Sequence, residues 1–308
     1  MRRSFQSMED IVKHSACLLM IVFGFSLISS AQAPGRITVL YDAFGKSALV
    51  KKDWGFAALI EYGGKRILFD TGNNADTFSD NVKALGVDLG TLDFVVISHR
   101  HSDHTTGLSY LLAVNPKVKI FVPDERFDER FGIFGGSIPS SIYRTQPTLP
   151  AEMRYFGGNP PEKIQSGSPW PNADFVPIKD VTEVAPGFYL IPTVSQTPGT
   201  RDLHELSLAI RTPKGLVVVV GCSHAGIENI LHLTAAVDQH LALLVGGLHL
   251  IAAPDAEVDR IALALRDNWK FERVAPGHCT GEPEFAALQK AFGDRFVYAG
   301  VGSTIPVP

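Results

Sequence analysis

Residues 99–104 read His-Arg-His-Ser-Asp-His, so four groups able to bind a divalent metal ion fall within six positions. They follow the β-branched apolar run Val95-Val96-Ile97 and precede the small-residue turn Thr105-Thr106-Gly107, as if a buried strand delivered its ligands to a loop. In an extended or tightly turned segment, side chains two apart point the same way. His99 and His101 can therefore reach one ion as neutral imidazoles, while Asp103 and His104 can reach a second position nearby. A nitrogen-rich site beside a mixed oxygen and nitrogen site suits zinc, or iron or manganese. A lone histidine is usually a satisfied core or loop residue, but four donors after a buried strand make that the weaker reading.

The elements that must carry further donors lie in the second half. Gly215–Gly221 runs into Cys222-Ser223-His224, Leu241–Val245 into Gly246-Gly247-Leu248-His249, and Val274 into Pro276-Gly277-His278. Each apolar run is followed by a helical pattern, over 227–237, 256–269 and 282–292. The three histidines are therefore expected at the carboxyl edge of their strands, where α/β folds place ligands.

The first half supports the same architecture. Strands are predicted over 37–41, 55–62 and 66–70, with a hairpin at Gly63-Gly64, whose residues tolerate positive φ. A helix over 81–89, a strand over 94–98, a helix over 108–114 and a strand over 118–122 follow, and this alternation predicts an α/β layer fold. Residues 124 to about 172 are punctuated by Pro and Gly and poorly periodic. They are expected to form a loop-rich cap over the metal edge, with Phe131, Phe134, Arg144 and Trp170 as candidate substrate contacts.

The N-terminus stands apart. Arg2, Arg3 and Lys13 precede the apolar run Ala16–Ile28, which ends in Ser29-Ser30-Ala31. A basic region, a short apolar stretch and a small-x-small site predict a signal peptide over 1–31 and one exported domain over 36–308, periplasmic or secreted and free of the membrane once cleaved. The apolar run is short for a membrane span, although an uncleaved anchor is the alternative. With 28 Lys and Arg against 32 Asp and Glu, and no basic runs, the chain has no electrostatic footprint for nucleic acid. A small-molecule substrate is the expected partner. Of three cysteines, only Cys222 and Cys279 lie beyond the leader, each directly beside a motif histidine or one residue from it, which does not read as a disulfide framework.

The spacing His99-x-His101-x-Asp103-His104 resembles the signature of the metallo-β-lactamase superfamily. The resemblance implies an αββα sandwich with a metal centre at one edge. It implies His99, His101 and a third ligand from the second half for one ion, and Asp103, His104 and His278 for the other. Gly277-His278 resembles the family's last histidine ligand. Leu68-Phe69-Asp70-Thr71-Gly72 resembles an element whose aspartate supports the metal loop through hydrogen bonds, a role compatible with an ordinary turn.

The middle ligands depart from the family pattern. Thr197-Pro198-Gly199-Thr200 stands where many members have Pro-Gly-His, and Gly221-Cys222-Ser223-His224 where many have Gly-Asp. The bridging aspartate is thus missing. His224 is the best replacement ligand, Cys222 a softer candidate and His204 a remote one, and the centre could hold one ion or two. Together with Asp202, Glu205–Leu208, Gly246–Leu250 and His278–Gly281, these departures resemble the subgroup of 7,8-dihydropterin-6-methyl-4-(β-D-ribofuranosyl)aminobenzene 5'-phosphate synthase, over roughly residues 36–300.

The chemistry expected is hydrolysis of an ester, lactone or phosphoester by a metal-activated water. Asp103 would hold the nucleophile or take its proton, and His249 would protonate a leaving group or bind an anion. Two alternatives remain: transfer of a pterin-methyl group from a diphosphate to an aromatic acceptor, and metal binding without turnover.

Overall fold

Alternation along the apolar runs decides which side of each strand meets which neighbour. A computed structural model describes residues 35–125, 136–139, 141, 146–166, 170 and 172–308. The proposed leader and Phe131, Phe134 and Arg144 lie outside the described residues. In chain order the strands are β1 (Arg36–Tyr41), β2 (Ala57–Tyr62), β3 (Lys65–Phe69), β4 (Phe94–Val96), β5 (Lys119–Pro123), β6 (Gly136–Pro139), β7 (Lys163–Ser166) and β8 (Asp174–Ile178). They continue with β9 (Thr182–Ala185), β10 (Phe188–Val194), β11 (His204–Thr212), β12 (Gly215–Val220), β13 (Leu241–Gly246), β14 (Arg273–Pro276) and β15 (Thr304–Pro306). The helices are α1 (Ala75–Ala84), α2 (Ser102–Thr105), α3 (Leu108–Val114), α4 (Ile227–Thr234), α5 (Asp255–Leu263) and α6 (Glu282–Phe292).

Two sheets result. One has the order β15-β1-β2-β3-β4-β5-β8, the other β14-β13-β12-β11-β10-β9. Ile67, Phe69, Phe94 and Val96 of the first meet Leu208, Ile210, Val217, Val219, Leu243 and Val245 of the second in one buried cluster. The intervening residues face outward into helices. Leu68, Val95 and Ile97 pack against Phe78 and Val82 of α1 and Leu108 and Leu111 of α3. Leu216, Val218, Val220 and Leu244 pack against Ile227 and Leu231 of α4, Ile261 of α5, and Leu288 and Phe292 of α6. The chain is therefore an αββα sandwich, as expected. Each fully buried Val, Leu, Ile or Phe contributes about 1.5 to 3 kcal/mol, and a one-residue slip would move a whole strand's set to the wrong layer.

Within this frame β3, β4, β5 and β8 run parallel, as do β12, β13 and β14. Their carboxyl ends hold the chemistry-bearing loops.

Several local expectations are corrected. The helix predicted over 81–89 lies earlier, at α1, because the Asn74 side chain accepts the backbone N–H groups of Asp76 and Thr77 and starts it there. Its cap Leu85 is followed by Gly86 at φ 64°, which turns the chain out of the helix. Helix α5 passes into a π turn over Ala264–Asn268. The hairpin at Gly63 and Gly64 is as predicted, with φ of 60° and 74°. Inside the expected cap, β6 and β7 form an antiparallel pair. The Trp170 indole N–H donates to Ser109 Oγ at 3.1 Å, and its ring packs on the outer helical layer. Among the described residues, no helix is long and apolar enough to cross a membrane.

Candidate metal centre

The first-half loop is built on one buried carboxylate. β3 ends at Phe69, and Asp70 turns the chain with φ 58°. Its Oδ1 accepts the Ser98 N–H at 2.7 Å, and its Oδ2 accepts the Ser98 hydroxyl at 2.7 Å and lies 2.7 Å from His104 Nδ1. Since the Ser98 proton goes to Asp70, Ser98 Oγ is left to accept from His99 Nδ1, 2.9 Å away. Both imidazoles are thereby fixed as Nδ1–H tautomers. The lone pairs of His99 Nε2 and His104 Nε2 are free to face a cation.

The second-half loops come one from each strand. Gly221 follows β12, and a Cβ there would lie 2.2 Å from Ser98 Oγ, so only glycine lets the two halves approach. Ser223 then takes φ 62° and its hydroxyl donates to the Gly247 carbonyl at 2.8 Å, tying this loop to the one that carries His249. The hydroxyls of Ser195 and Thr197 donate to the His224 carbonyl at 2.9 and 3.1 Å, while Glu205 Oε2 accepts the Ala225 N–H at 3.0 Å. The segment that lacks the family's Pro-Gly-His thus holds His224 by its backbone. His249 and His278 also have positive φ, 51° and 49°. Such backbone costs on the order of 1–3 kcal/mol per residue, and here it collects at one strand edge.

The donors of the two halves converge. His99, His101 and His224 place ring nitrogens within 4.8 Å of one another, and Asp103, His104 and His278 form a second such set. His99 Nε2 is 3.0 Å from His101 Nδ1, and His104 Nε2 is 3.1 Å from His278 Nε2. Asp103 Oδ2 lies 3.4 Å from His278 Nε2 and 3.7 Å from His104 Nε2. Cys222 Sγ is 3.2 Å from His104 Nε2, and Cys222 also groups with His278 and Cys279 and with His224 and His249. The His249 ring centre is 4.0 Å from that of His224. His204, at the start of β11, belongs to none of these groups, and its backbone N–H donates to Glu125 at 3.3 Å.

The electrostatics favour the protonation states that metal ligands need at His99, His224 and Asp103, whereas at His278 burial works to lower the imidazole but Cys279 and Asp103 outweigh it and raise it. Burial, reinforced by His104, His101 and His224, holds His99 well below the ordinary histidine value. Burial, then His249 and His101, pushes His224 down to about 3. Burial works to raise Asp103, but the hydrogen bond from His278 and the charges of His104 and His278 outweigh it and hold the carboxyl well below its usual range. His249 moves the other way, raised first by its hydrogen bond with Cys279. Burial pushes the Cys222 thiol well up, with Cys279 adding to it.

These residues fit divalent ions. Both ring nitrogens of His224 and Nδ1 of His278 are buried without a hydrogen-bond partner, which costs about 1–3 kcal/mol per group unless something else binds them. His104 directs the lone pair of Nε2 towards His278 Nε2, 3.1 Å away, so two ring nitrogens of the second donor set converge on one point.

Sequence reasoning passed over some supports. Asp42, fully buried at the end of β1, accepts the His278 N–H at 2.9 Å and the Ala43 N–H at 2.7 Å. Its signal was an aspartate directly after an apolar strand, a position it shares with Asp70. Ser98 stood inside the conspicuous motif without a role. Trp54, 41% exposed, stands with its ring centre 5.0 Å from that of His278, and nothing in its local sequence marks it.

Comparison with known proteins bears on the family and the fold. The profile of the metallo-beta-lactamase superfamily matches residues 55–210. The 7,8-dihydropterin-6-methyl-4-(beta-D-ribofuranosyl)-aminobenzene-5'-phosphate synthase of Methanocaldococcus jannaschii is 26% identical over 272 residues, which cover 78% of this chain and 84% of that protein. The crystal structure of Tm1679, described as a metal-dependent hydrolase of the beta-lactamase superfamily, is 26% identical with a TM-score of 0.66 and covers 89% of this chain and 99% of its own. The metallo-beta-lactamase fold protein YhfI from Bacillus subtilis, 16% identical with a TM-score of 0.53 over 89% of this chain and all of its own, shares the fold. A matched span that includes the His99–His104 loop, and two sheets whose strand ends gather the remaining histidines, lead to one conclusion: this chain belongs to the metallo-beta-lactamase superfamily.

Proposed function

We propose that the protein is a metal-dependent hydrolase of a small ester, lactone or phosphoester. The observation that carries this reading is the pair of adjoining donor sets, His99, His101 and His224 beside Asp103, His104 and His278. Divalent ions bound there, zinc by preference and iron or manganese otherwise, would supply the Lewis acidity that activates a water and polarises a carbonyl or phosphoryl oxygen.

The chain's own groups divide the remaining work. Asp103, held ionised beside His104 and His278, orients the attacking water or takes its proton. His249, at the mouth of the cluster and hydrogen-bonded with Cys279, gives a proton to the leaving group or binds an anionic part of the substrate. The buried Asp70–Ser98 pair keeps His99 and His104 in the tautomer that presents Nε2. We also propose that residues 1–31 direct export and are removed; the N-terminal mass of the protein from a periplasmic or culture fraction tests this.

The test of the main reading is elemental analysis of the protein beside His224→Ala and His278→Ala, followed by a phosphoester and lactone panel. Two ions in the parent, falling in both variants, with metal-dependent turnover, is the expected result. Two bound ions with no turnover on any substrate would overturn hydrolysis.

Similarity to the synthase favours a second reading, in which the same cleft transfers a group from a diphosphate to an aromatic acceptor. A transferase must keep water out. Product analysis with and without acceptor separates the two: hydrolysis proceeds unchanged without acceptor, whereas transfer requires it.

A further inference from the structure

One sulfur meets donors of both sets. Cys222 Sγ lies within 4.8 Å of ring nitrogens of His99 and His224 from the first set and of His104 and His278 from the second. It is 3.2 Å from His104 Nε2. Ligand bonds of about 2.0–2.3 Å place two donors on a tetrahedral ion roughly 3.5 Å apart, so Cys222 and His104 are spaced to share one. The residue is 3% exposed and sits at the end of β12, directly after the glycine that lets the two halves touch. The neighbouring Cys279 shares a donor group with Cys222 and His278, its Sγ–H points to the Cys222 carbonyl at 3.7 Å, and it is hydrogen-bonded with the Cys222 thiol and with His249. His224, 4% exposed, brings two buried and unpartnered ring nitrogens to the same group as this sulfur.

We propose that Cys222 bridges the two ions as a thiolate, in place of the carboxylate that the chain lacks, and thereby gives the centre a preference for thiophilic ions such as zinc, cobalt and cadmium over manganese. This rests on the reading that the cluster holds two divalent ions. On binding, the Cys222 thiol releases its proton to solvent and its sulfur donates one electron pair to each ion, with no change in oxidation state. A sulfur donor is softer than a carboxylate, so exchanging one for the other shifts selectivity without altering the histidines.

The experiment is cadmium-113 NMR of the protein loaded with two equivalents of cadmium, with cadmium content measured separately, on the parent, Cys222→Ser and Cys279→Ser. The expected spectrum has two resonances, both downfield of the range for nitrogen and oxygen ligands. Both move upfield in Cys222→Ser and both stay in Cys279→Ser. Movement of only one resonance makes Cys222 a terminal ligand and overturns the bridge, and movement of neither removes it from the centre. A parent that retains no cadmium overturns the metal-centre reading itself, a result distinct from cadmium retained with unmoved signals. If Cys222→Ser does not fold, Cys222→Asp carries the test: a folded variant with two cadmium ions, both resonances upfield, and at least a tenfold gain in manganese over zinc affinity supports the bridge. Unchanged resonances in that variant overturn it.

Discussion

The two halves of the candidate centre are built on different plans. In the first half, four donors occupy six consecutive residues, and a single buried network of Asp70 and Ser98 sets the orientation of two of them. In the second half, His224, His249 and His278 stand on three separate loops. Two of these loops are tethered by carboxylates from distant elements: Asp42 at the end of β1 holds the His278 N–H, and Glu205 of β11 holds the Ala225 N–H. A compact motif shares one support among several ligands, whereas distributed ligands each need their own. The first plan therefore fails all at once and the second fails one site at a time.

The sharpest way to break that contrast is Asp70→Ala. It strands the Ser98 N–H, the Ser98 hydroxyl and His104 Nδ1 in a fully buried space. The expected cost is about 3–5 kcal/mol in denaturant unfolding, with loss of both ions by elemental analysis. Loss of one ion alone would show that the first-half donors do not act as a unit.

Next come the separate tethers. Asp42→Ala should weaken zinc binding at the position served by His278 by about 10–100-fold, and Glu205→Ala should do the same at the position served by His224. Stepwise competition with a chromophoric chelator reads the two affinities apart. Equal weakening of both ions by either variant would remove the distinction between the halves.

A smaller effect separates acids that hold backbone from one that does not. Glu284 on α6 is buried with neither carboxylate oxygen paired, and burial, then Asp259 and Glu257, push it up to about 8. Its folded value lies above its unfolded value, so its contribution to stability is fully present below pH about 4.5 and is lost as pH rises through 8. Glu284→Gln should therefore gain about 1–2 kcal/mol at pH 9 and nothing at pH 4, measured by unfolding across that range. A gain independent of pH would mean that ionisation is not the cost. The smallest effect is expected from His204→Ala, which should leave metal content unchanged because His204 lies outside both donor sets.

Much of this was legible in the chain. The His99–Asp103–His104 loop needed no folding to be noticed, because all its donors are sequence neighbours. The three histidines after β12, β13 and β14 could be placed at strand ends, because long apolar runs followed by helical patterns are strong local signals. Shorter or mixed elements were lost: β8, β9 and β15 are three to five residues long and lie at or near sheet edges, where exposure dilutes the apolar pattern. That Trp170 packs beside α3 in the outer layer was also beyond the sequence, since local composition does not say which layer an aromatic ring joins.

The sequence by itself determined the alternation of strands and helices and the positions of the candidate donors along it, since both follow from period and side-chain chemistry, while the αββα order came from the family resemblance. Only the tertiary structure decided which donors share a space. Asp42 and His278 are 236 residues apart and Cys222 and His104 are 118 apart, yet each pair is in contact. Such pairings arise from the stacking of two sheets and the reversal of chain at their ends, and no local pattern encodes a distance between elements that meet only when the core closes.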